Sequence, residues 1–233
     1  MKPSWSFILV AFYCILFSSC QHEKWIDLIV DDLSNFKVKN GTAEYILEDH
    51  TIIGTTKLGT PNTFLCTKSM YTDFILEFEV WADTLINSGV QIRSNSIPDY
   101  NNGRVHGYQV EIESSDRKWA GGIYDEGRRG WLYPLGKNPK GQEAFNRNEW
   151  NHYRIEAIGS NINTWVNGVH CSRLIDDMTN EGFIGLQVHS VTDSLHVGKT
   201  IKWKNMRIMT DNIESYQTAP DPEVESINTS QNN

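Results

Sequence analysis

The chain has 233 residues and a formal net charge of −8, with 39% hydrophobic, 21% charged and 11% aromatic residues. This composition is ordinary for a soluble globular protein, and the length suits one large β-sandwich or two small domains. The acidic balance argues against nucleic-acid binding, because neutralising phosphates requires a basic surface and the chain has no run of Lys or Arg.

The first residues have the pattern of an export signal. Lys2 supplies a positive charge, and Phe7 to Phe17 form an apolar stretch too short to span a bilayer comfortably. Two serines and then Cys20 follow, which resembles a bacterial lipoprotein signal, and the acyl chains added to such a cysteine give a firm anchor. We predict a signal peptide over residues 1–19, a lipidated N-terminus and linker over residues 20–23, and a protein anchored to a bacterial membrane, in the periplasm or at the cell surface. An ordinary secretory signal with an incidental cysteine is the alternative.

The rest of the chain carries β-strand patterns and no long helical one. Phe74 to Trp81 alternates apolar and acidic side chains, which is typical of a strand with one buried face. Asn167-Gly168 has the residues of a tight hairpin turn, and similar turn signals separate the other candidates. Many short strands predict an all-β sandwich or barrel. The remaining predicted strands are Val90–Arg93, Tyr108–Glu113, Tyr153–Ile158, Asn163–Val166, Phe183–His189 and Thr200–Met209.

Two segments depart from the strand pattern. Residues 120–142 are rich in Gly, Arg, Trp and Pro, and we predict a long loop there, of the kind that often carries function on a rigid scaffold. Residues 211–233 are polar, acidic and poor in large apolar side chains, and we predict that they are mostly disordered. These assignments leave one globular domain over residues 24–210.

Cysteine usage leaves two interpretations open. Once Cys14 has left with the signal and Cys20 carries lipid, Cys66 and Cys171 remain in the domain. They either form one disulfide in an oxidising compartment or are two buried thiols. No cluster has the spacing of metal ligands, so the sequence predicts no metal and no cofactor, and it is not specific enough to predict a divalent cation.

Polar side chains on the outward faces of the strands provide the candidate binding residues. Planar amide, carboxylate and guanidinium groups pair with sugar hydroxyls, and aromatic rings stack on sugar rings. The outward pairs Glu77 with Glu79 and Arg154 with Glu156 are expected to be solvated faces of amphipathic strands. A second set lies mid-strand beside Gly-rich turns and is expected to form a site: Gln91, Arg93, Gln109, Glu111, Gln187 and His189.

Two residues of this set could move protons. His189 is either an acid–base group or a hydrogen-bonded structural residue. Glu111 lies two residues before Glu113 on one strand face, about 7 Å away by strand rise. That separation lies within the range of glycosidase carboxylate pairs, although such spacing is common on exposed strands.

An ordered set of motifs carries a family resemblance across residues 24–209. The chain resembles the 3-keto-disaccharide hydrolase domain family (DUF1080), which is common in exported proteins of Bacteroidota and Planctomycetota. One departure is Gln109-Val110-Glu111, where many members carry Glu and Gln in the opposite order. The matching motifs are Trp25–Leu28, Tyr71–Glu79, Asn87–Ser94, Gly107–Ile112, Gly121–Tyr124, Glu149–Ile155, Trp165–Val169, Gly185–His189 and Trp203–Ile208.

The resemblance implies a concanavalin A-like jelly-roll β-sandwich whose concave, polar sheet binds a glycoside or oligosaccharide. It also implies cleavage of glycosides whose sugar is oxidised to a ketone at carbon 3. Such a reaction needs a base, a group that stabilises an enolate and an acid. The roles expected from the resemblance are Glu111 or His189 as base, Arg93 with Gln91 or Gln109 polarising the ketone, Gln187 binding substrate, and Tyr124, Arg129 and Trp131 forming one wall.

Two other functions are compatible with these residues. A sandwich with a polar groove also serves non-catalytic, lectin-like proteins, since fold does not fix function. An ordinary glycoside hydrolase would need a second carboxylate facing Glu111 across the groove, and the sequence does not identify one.

Overall fold

A computed structural model of the protein describes residues 25–84 and 86–230. The predicted signal peptide, the linker and Cys20 lie outside these residues. No helix in the described part is long and apolar enough to cross a membrane.

Strands dominate the described residues, joined by short turns and one short helix, α1 (Pro139–Gln142). In chain order the strands are β1 (Ile26–Asp27), β2 (Phe36–Asn40), β3 (Glu44–Glu48), β4 (Thr51–Thr55), β5 (Thr63–Thr67), β6 (Phe74–Ala82), β7 (Asn87–Asn95), β8 (His106–Glu113), β9 (Ile123–Glu126), β10 (Gly130–Tyr133), β11 (Asn151–Ile158), β12 (Asn161–Val166), β13 (Val169–Ile175), β14 (Phe183–Val188), β15 (Thr200–Met209) and β16 (Ser226–Asn228).

The strands form two sheets, as in a jelly-roll sandwich. One sheet has the order β16-β13-β12-β11-β6-β15-β4-β3, with β1 paired to β15. The other has the order β10-β9-β8-β7-β14-β5-β2. Neighbouring strands of the second sheet, such as β7 and β14, are distant in sequence, so the sheet brings together side chains from three separate stretches of chain.

Alternating side chains build the core between the sheets. Phe74, Leu76, Phe78 and Val80 of β6 are all fully buried, as their alternation predicts. The ring of Phe78 stacks on that of Tyr153 with centroids 5.1 Å apart. Burial of each such side chain contributes roughly 1.5–3 kcal/mol, so this face holds the two sheets together.

The outer face of the larger sheet carries a network of ion pairs. Glu77 accepts from Arg154 at 2.5 Å and from Arg207 at 2.7 Å. Arg154 also pairs with Glu156 at 2.8 Å. The charges on this face are therefore paired with one another. The solvated-face interpretation is wrong for Glu77 and Glu156, which are buried. The segment after β15 contacts them here, since the Arg154 guanidinium donates to the Tyr216 carbonyl oxygen and the Thr218 N–H donates to Glu156.

The predicted long loop is partly a hairpin. Strands β9 and β10 pair antiparallel within residues 120–142. Gly127 and Gly130 both have positive φ angles, of 69° and 80°, which glycine adopts without steric cost. The prediction of an irregular loop is wrong for these residues. A composition rich in Gly, Arg and Trp also occurs in a tight hairpin turn and the two strands beside it, so composition alone does not separate the two structures.

The prediction of a disordered tail is wrong for residues 211–230. Strand β16 pairs in parallel with β13 at the sheet edge. Ile213 and Val224 are buried, and the Tyr133 hydroxyl donates to the Glu225 carbonyl oxygen at 2.8 Å. A segment poor in apolar residues can pack in this way because backbone hydrogen bonds to an open sheet edge need no particular side chains.

Both cysteines of the domain are buried and free. Cys66 lies on β5 and Cys171 on β13, which belong to different sheets. Burial raises the pKa of the Cys171 thiol to about 12 and also raises that of Cys66. The structure therefore favours two buried thiols over a disulfide.

Candidate functional site

A polar groove of about 290 Å³ lies on the outer face of the seven-stranded sheet. Strands β7, β8, β9, β10 and β14 contribute most of its side chains, and residues from four loops complete it. The lining residues are Asn62, Asn87, Arg104, Gln109, Glu111, Arg117, Tyr124, Glu126, Trp131, Gln187 and His189.

Strand alternation brings the predicted glutamines and Glu111 to this face. Gln109 and Glu111 lie on β8, and Gln109 is paired across the ladder with Gln91 of β7. Glycine is required at position 89, because a Cβ there would lie 2.4 Å from the Gln109 Cγ. The small residue lets the Gln109 side chain lie flat across the sheet.

Three glutamines form a connected floor. The Gln109 Oε1 accepts from the Gln91 Nε2 at 2.6 Å and from the Gln187 Nε2 at 2.9 Å. Gln91 is fully buried and does not line the groove, so it orients Gln109 and has no direct access to a ligand. The Gln187 side chain lines the groove, and its buried Oε1 has no hydrogen-bond partner within the described residues.

Glu111 is the best-placed proton acceptor in the groove. Burial raises the pKa of its carboxyl to about 7, and the charge of Glu113 adds to the rise. Hydrogen bonds from the Gln109 Nε2 at 3.0 Å and the Asn87 Nδ2 at 2.5 Å, with Arg117 at 3.3 Å, offset part of that shift. A carboxyl with a pKa near neutrality can both take up and release a proton at physiological pH.

His189 lines the same groove at the end of β14. Its Nδ1 lies 2.7 Å from the carbonyl oxygen of Ser190. Because a carbonyl only accepts, a neutral imidazole in this contact carries its proton on Nδ1 and leaves Nε2 as an acceptor. The ring therefore offers a second proton-accepting atom to the site.

Arg93 does not reach the groove, which corrects its expected role at the ketone. Its φ angle is 45°, and the pairing of β7 with β8 shifts in register between Ile92 and Asn95. The bulge ends the alternation that the sequence pattern assumes. The fully buried guanidinium donates to the carbonyl oxygens of Thr72 and Gly159 and to Asp73.

Arg129 also lies outside the groove, which corrects its assignment to the wall. It donates to Asp125 at 2.6 Å and to Asp176 at 2.8 Å. Alternation along β9 directs Tyr124 and Glu126 toward the groove, and Asp125, which is fully buried, lies on the other face. Arg129 pairs with Asp125 and Asp176 on that face of the sheet, away from the groove.

Arg117 is the groove cation that the sequence pattern did not identify. Its guanidinium carbon lies 4.7 Å from the ring centroid of Trp119 and 4.8 Å from that of Trp131. It also pairs with Glu113 at 2.7 Å and with Glu111 at 3.3 Å. Its position depends on a hairpin folding back over the end of β8, which no local pattern around residue 117 indicates.

The structure places Tyr124 and Trp131 on the groove wall, at the positions expected for them. Their rings meet edge to face with centroids 5.3 Å apart. At the other end of the groove, Arg104 pairs with Glu126 at 2.9 Å. Sequence reasoning missed both members of this pair, and Glu126 belongs to the segment predicted as a loop.

No group of three or more His, Cys, Asp or Glu side chains within residues 25–84 and 86–230 is arranged to hold a metal ion. Among the residues that line the groove are the carboxylates of Glu111 and Glu126, the His189 imidazole, two arginines and several amides.

Comparisons with known proteins agree with a carbohydrate-related domain. The family model described as a 3-keto-alpha-glucoside-1,2-lyase-like domain matches residues 24–209. A search of curated proteins finds no relative of this chain.

Solved structures share the fold at low sequence identity. A protein of Parabacteroides distasonis with a provisional glycosyl hydrolase assignment is 19% identical, with a TM-score of 0.56 over 80% of this chain and 99% of its own. The carbohydrate-binding module CBM66 of Bacillus subtilis is 15% identical, with a TM-score of 0.52 over 75% of this chain and 95% of its own. A Bacillus subtilis protein with a galectin-like fold is 9% identical, with a TM-score of 0.58 over 80% of this chain and 94% of its own. At these identities the likeness establishes the jelly-roll fold alone.

Proposed function

Because the chain belongs to the family of 3-keto-alpha-glucoside-1,2-lyase-like domains, we propose that its groove binds a glycoside oxidised to a ketone at carbon 3 and hydrolyses it by elimination and rehydration. The observation that carries this proposal is the buried Glu111 carboxyl, whose pKa is raised to about 7, on the floor of a groove lined by amides.

The chemistry follows from the ketone. A carbonyl at carbon 3 acidifies the hydrogen on carbon 2, and a base removes that hydrogen to give an enolate. Collapse of the enolate breaks the bond between carbon 1 and the glycosidic oxygen, and the departing oxygen takes a proton to become an alcohol. Water then adds a hydroxyl to carbon 1 and a hydrogen to carbon 2, so the balance is hydrolysis to a 3-keto-sugar and an alcohol.

Glu111 is assigned as the base that removes the hydrogen from carbon 2. A general base works best when its pKa lies near the working pH, and burial gives this carboxyl such a value. His189 is assigned to the other proton transfer, because its ring lines the same groove with Nε2 free of the Ser190 contact. For this step the ring is protonated on both nitrogens, and Nε2 gives its proton to the leaving oxygen and takes one back from the water that adds. The opposite assignment, with His189 as base, is tested by the same variants.

Arg117 replaces Arg93 as the proposed enolate stabiliser. Its guanidinium lies beside Glu111 and against Trp131, where a sugar ring stacked on the indole would face it. The Gln109 and Gln187 side chains provide hydrogen-bonding groups on the floor for the remaining hydroxyls. A charge held in place before the reaction stabilises a developing oxyanion without reorganisation.

The first experiment compares a 3-keto-glucoside with its unoxidised parent and follows release of the aglycone by the purified protein. We expect release from the keto sugar alone, and loss of that release in Glu111→Gln and His189→Ala. Glu79→Gln, on the outer face of the other sheet, is the matched control that should keep full activity. Release from the parent sugar would indicate an ordinary glycosidase, and full activity in both groove variants would refute the assignment.

A second function, sugar binding without catalysis, is favoured by the glutamine floor itself. Hydrogen-bonded amides beside an aromatic wall bind sugar hydroxyls whether or not a reaction follows. Affinity for a glycoside with no product from either the keto or the parent sugar would support this alternative.

A further inference from the structure

Three tryptophans lie along β15 on the outer face of the larger sheet, and each ring contacts a cation of that strand. The Lys Nζ or Arg guanidinium carbon lies 4.9, 4.1 and 4.3 Å from the ring centroid in the three pairs. The pairs, in the same order, are Lys202 with Trp81, Lys204 with Trp150, and Arg207 with Trp25. We call these six residues the tryptophan face.

Strand register continues the tryptophan face toward the edge of the sheet. Trp203 of β15 is fully buried in the core, so the side chain of Lys202 beside it points to the opposite side. Lys202 lies opposite Trp81 of β6 and Ile53 of β4, and Ile53 lies opposite Ile46 of the edge strand β3. Opposite residues of an antiparallel pair share a face, so these side chains form one row that ends at the 46% exposed Ile46.

The cations of the tryptophan face differ in their partners. Lys204 pairs with Glu79 at 3.3 Å, and Arg207 pairs with Glu77 at 2.7 Å. The Lys202 ammonium makes no ion pair or hydrogen bond with the residues that the structure describes, and its ring contact leaves its charge free for an anion. Tryptophan is enriched at membrane–water interfaces, and basic side chains are attracted to anionic lipid headgroups, so this combination suits a lipid surface.

The proposed lipid anchor would hold this face close to the bilayer. Cys20 precedes Trp25 by five residues, which span at most about 18 Å when fully extended. Trp25 is itself part of the tryptophan face, and β1 directly after it pairs with the end of β15. The groove lies on the outer face of the other sheet, on the far side of the sandwich from this attachment.

We propose that the tryptophan face rests on the surface of a lipid bilayer, with its indole rings at the level of the headgroups and Lys202 beside lipid phosphates. The groove then opens on the side of the sandwich that faces away from the bilayer, where solutes reach it. This orientation rests on the proposed lipid anchor and is independent of the reaction proposed for the groove.

The test measures which tryptophans meet the bilayer. The full chain is reconstituted in vesicles of phosphatidylethanolamine and phosphatidylglycerol, with or without a phosphatidylcholine brominated on its acyl chains. Bromine quenches the fluorescence of those indoles that lie close to it. Every protein carries Trp5→Phe, because Trp5 lies in the predicted signal peptide and would report on that segment instead.

We expect the brominated lipid to lower the emission by roughly a third, because three of the seven remaining tryptophans lie on the tryptophan face. The variant W25F/W81F/W150F should lose most of this quenching. The matched control W119F/W131F removes two rings that meet edge to face beside the groove and should keep it. Loss of quenching in the control alone would place the groove against the bilayer and overturn the proposal. Equal quenching in both variants, or none in any protein, would overturn it too.

A charge variant keeps every ring and stays informative if the triple variant fails to fold. Lys202→Glu should lower the quenching at least about twofold, because a basic side chain is attracted to an anionic lipid surface and a carboxylate is repelled by it. Lys39→Glu is the matched control, since that ammonium lies 5.8 Å from the Phe183 ring centroid on the other sheet, and it should leave the quenching unchanged. Full quenching in Lys202→Glu would overturn the contact of this face with lipid phosphates.

Discussion

Their different hydrogen-bond partners separate Glu111 from its equally buried neighbour Glu113. Both carboxylates are on β8 and face the same side of the sheet. Glu113 accepts from the Arg117 guanidinium and from the Trp119 N–H at 2.6 Å, so its oxygens are occupied in holding the hairpin. Glu111 is held mainly by amides, which leave it near the balance between its two protonation states.

This balance predicts a pH dependence of activity. Only the ionised carboxylate accepts a proton, so kcat/KM should rise with pH and reach half of its plateau near pH 7. The pH profile of aglycone release from a 3-keto-glucoside measures it. In the residual activity of Glu111→Gln this rise should be absent, and a profile identical to that of the unaltered protein would exclude Glu111 as the base.

The raised pKa of Glu111 also affects the stability of the fold. Whereas activity should rise with pH, the contribution of this carboxyl to stability should fall. The folded-state pKa of about 7 lies above the ordinary value of 4.5, so the folded protein binds this proton more tightly than the unfolded chain does. The stabilisation from this carboxyl is therefore complete below pH 4.5 and is lost as the pH rises through 7. Glu111→Gln should remove this contribution to the pH dependence of the free energy of unfolding.

Arg93 stabilises the fold and is not expected to act on the substrate. Its removal by Arg93→Met would leave two carbonyl oxygens without donors and Asp73 without its partner. We expect the free energy of unfolding to fall by roughly 2–4 kcal/mol. Urea unfolding measures that loss, and kcat of the folded fraction on a 3-keto-glucoside should stay within about twofold. Loss of kcat without loss of stability would indicate that Arg93 acts on the substrate.

At the scale of elements, the segment after β15 supports the wall of the groove. Strand β16 pairs with β13, and the Thr229 hydroxyl donates to Asp176, which also accepts from Arg129 and Tyr108. Arg129 belongs to the turn that precedes Trp131. The segment therefore connects the sheet edge to the hairpin that carries the aromatic wall.

Truncation after residue 210 tests this support. Removal of the segment exposes the partners of Ile213 and Val224 and opens the sheet edge at β13. Since burying each apolar side chain contributes roughly 1.5–3 kcal/mol, we expect a lower midpoint of thermal unfolding. A protein ending at residue 230 is the matched control and should unfold like the full chain. Equal unfolding midpoints for all three proteins would contradict a structural role of the segment.

At the scale of the whole molecule, a lipid anchor would hold the sandwich at a membrane surface while the groove meets soluble glycosides. This location is a proposal from the N-terminal sequence, which ends its apolar stretch at two serines and Cys20.

Fractionation of bacterial cells that express the full chain tests the anchor. We expect the protein in the membrane fraction, and we expect Cys20→Ser to move it out of that fraction or leave its signal uncleaved. Cys14→Ser is the matched control, because that cysteine lies within the apolar stretch and should leave with the signal. Membrane association of Cys20→Ser at the same processed size as the unaltered protein would argue against lipidation of Cys20.

Local sequence patterns determined where many of the strands lie and which way their side chains point. Alternation along β6, β8 and β14 fixed which side chains enter the core and which face outward, because a strand has a side-chain period of two. That rule directed Gln109, Glu111 and Gln187 outward on their own strands, and the order of the strands in the sheet brought them together.

Only the tertiary structure decided the features that break this period or depend on distant contacts. A positive φ angle turned Arg93 inward. The connection after β8 placed Arg117 against two indole rings that themselves meet edge to face. An open sheet edge ordered the polar segment at β16. Each of these outcomes depends on the free energy of contacts between residues far apart in sequence, which a pattern read over neighbouring residues does not contain.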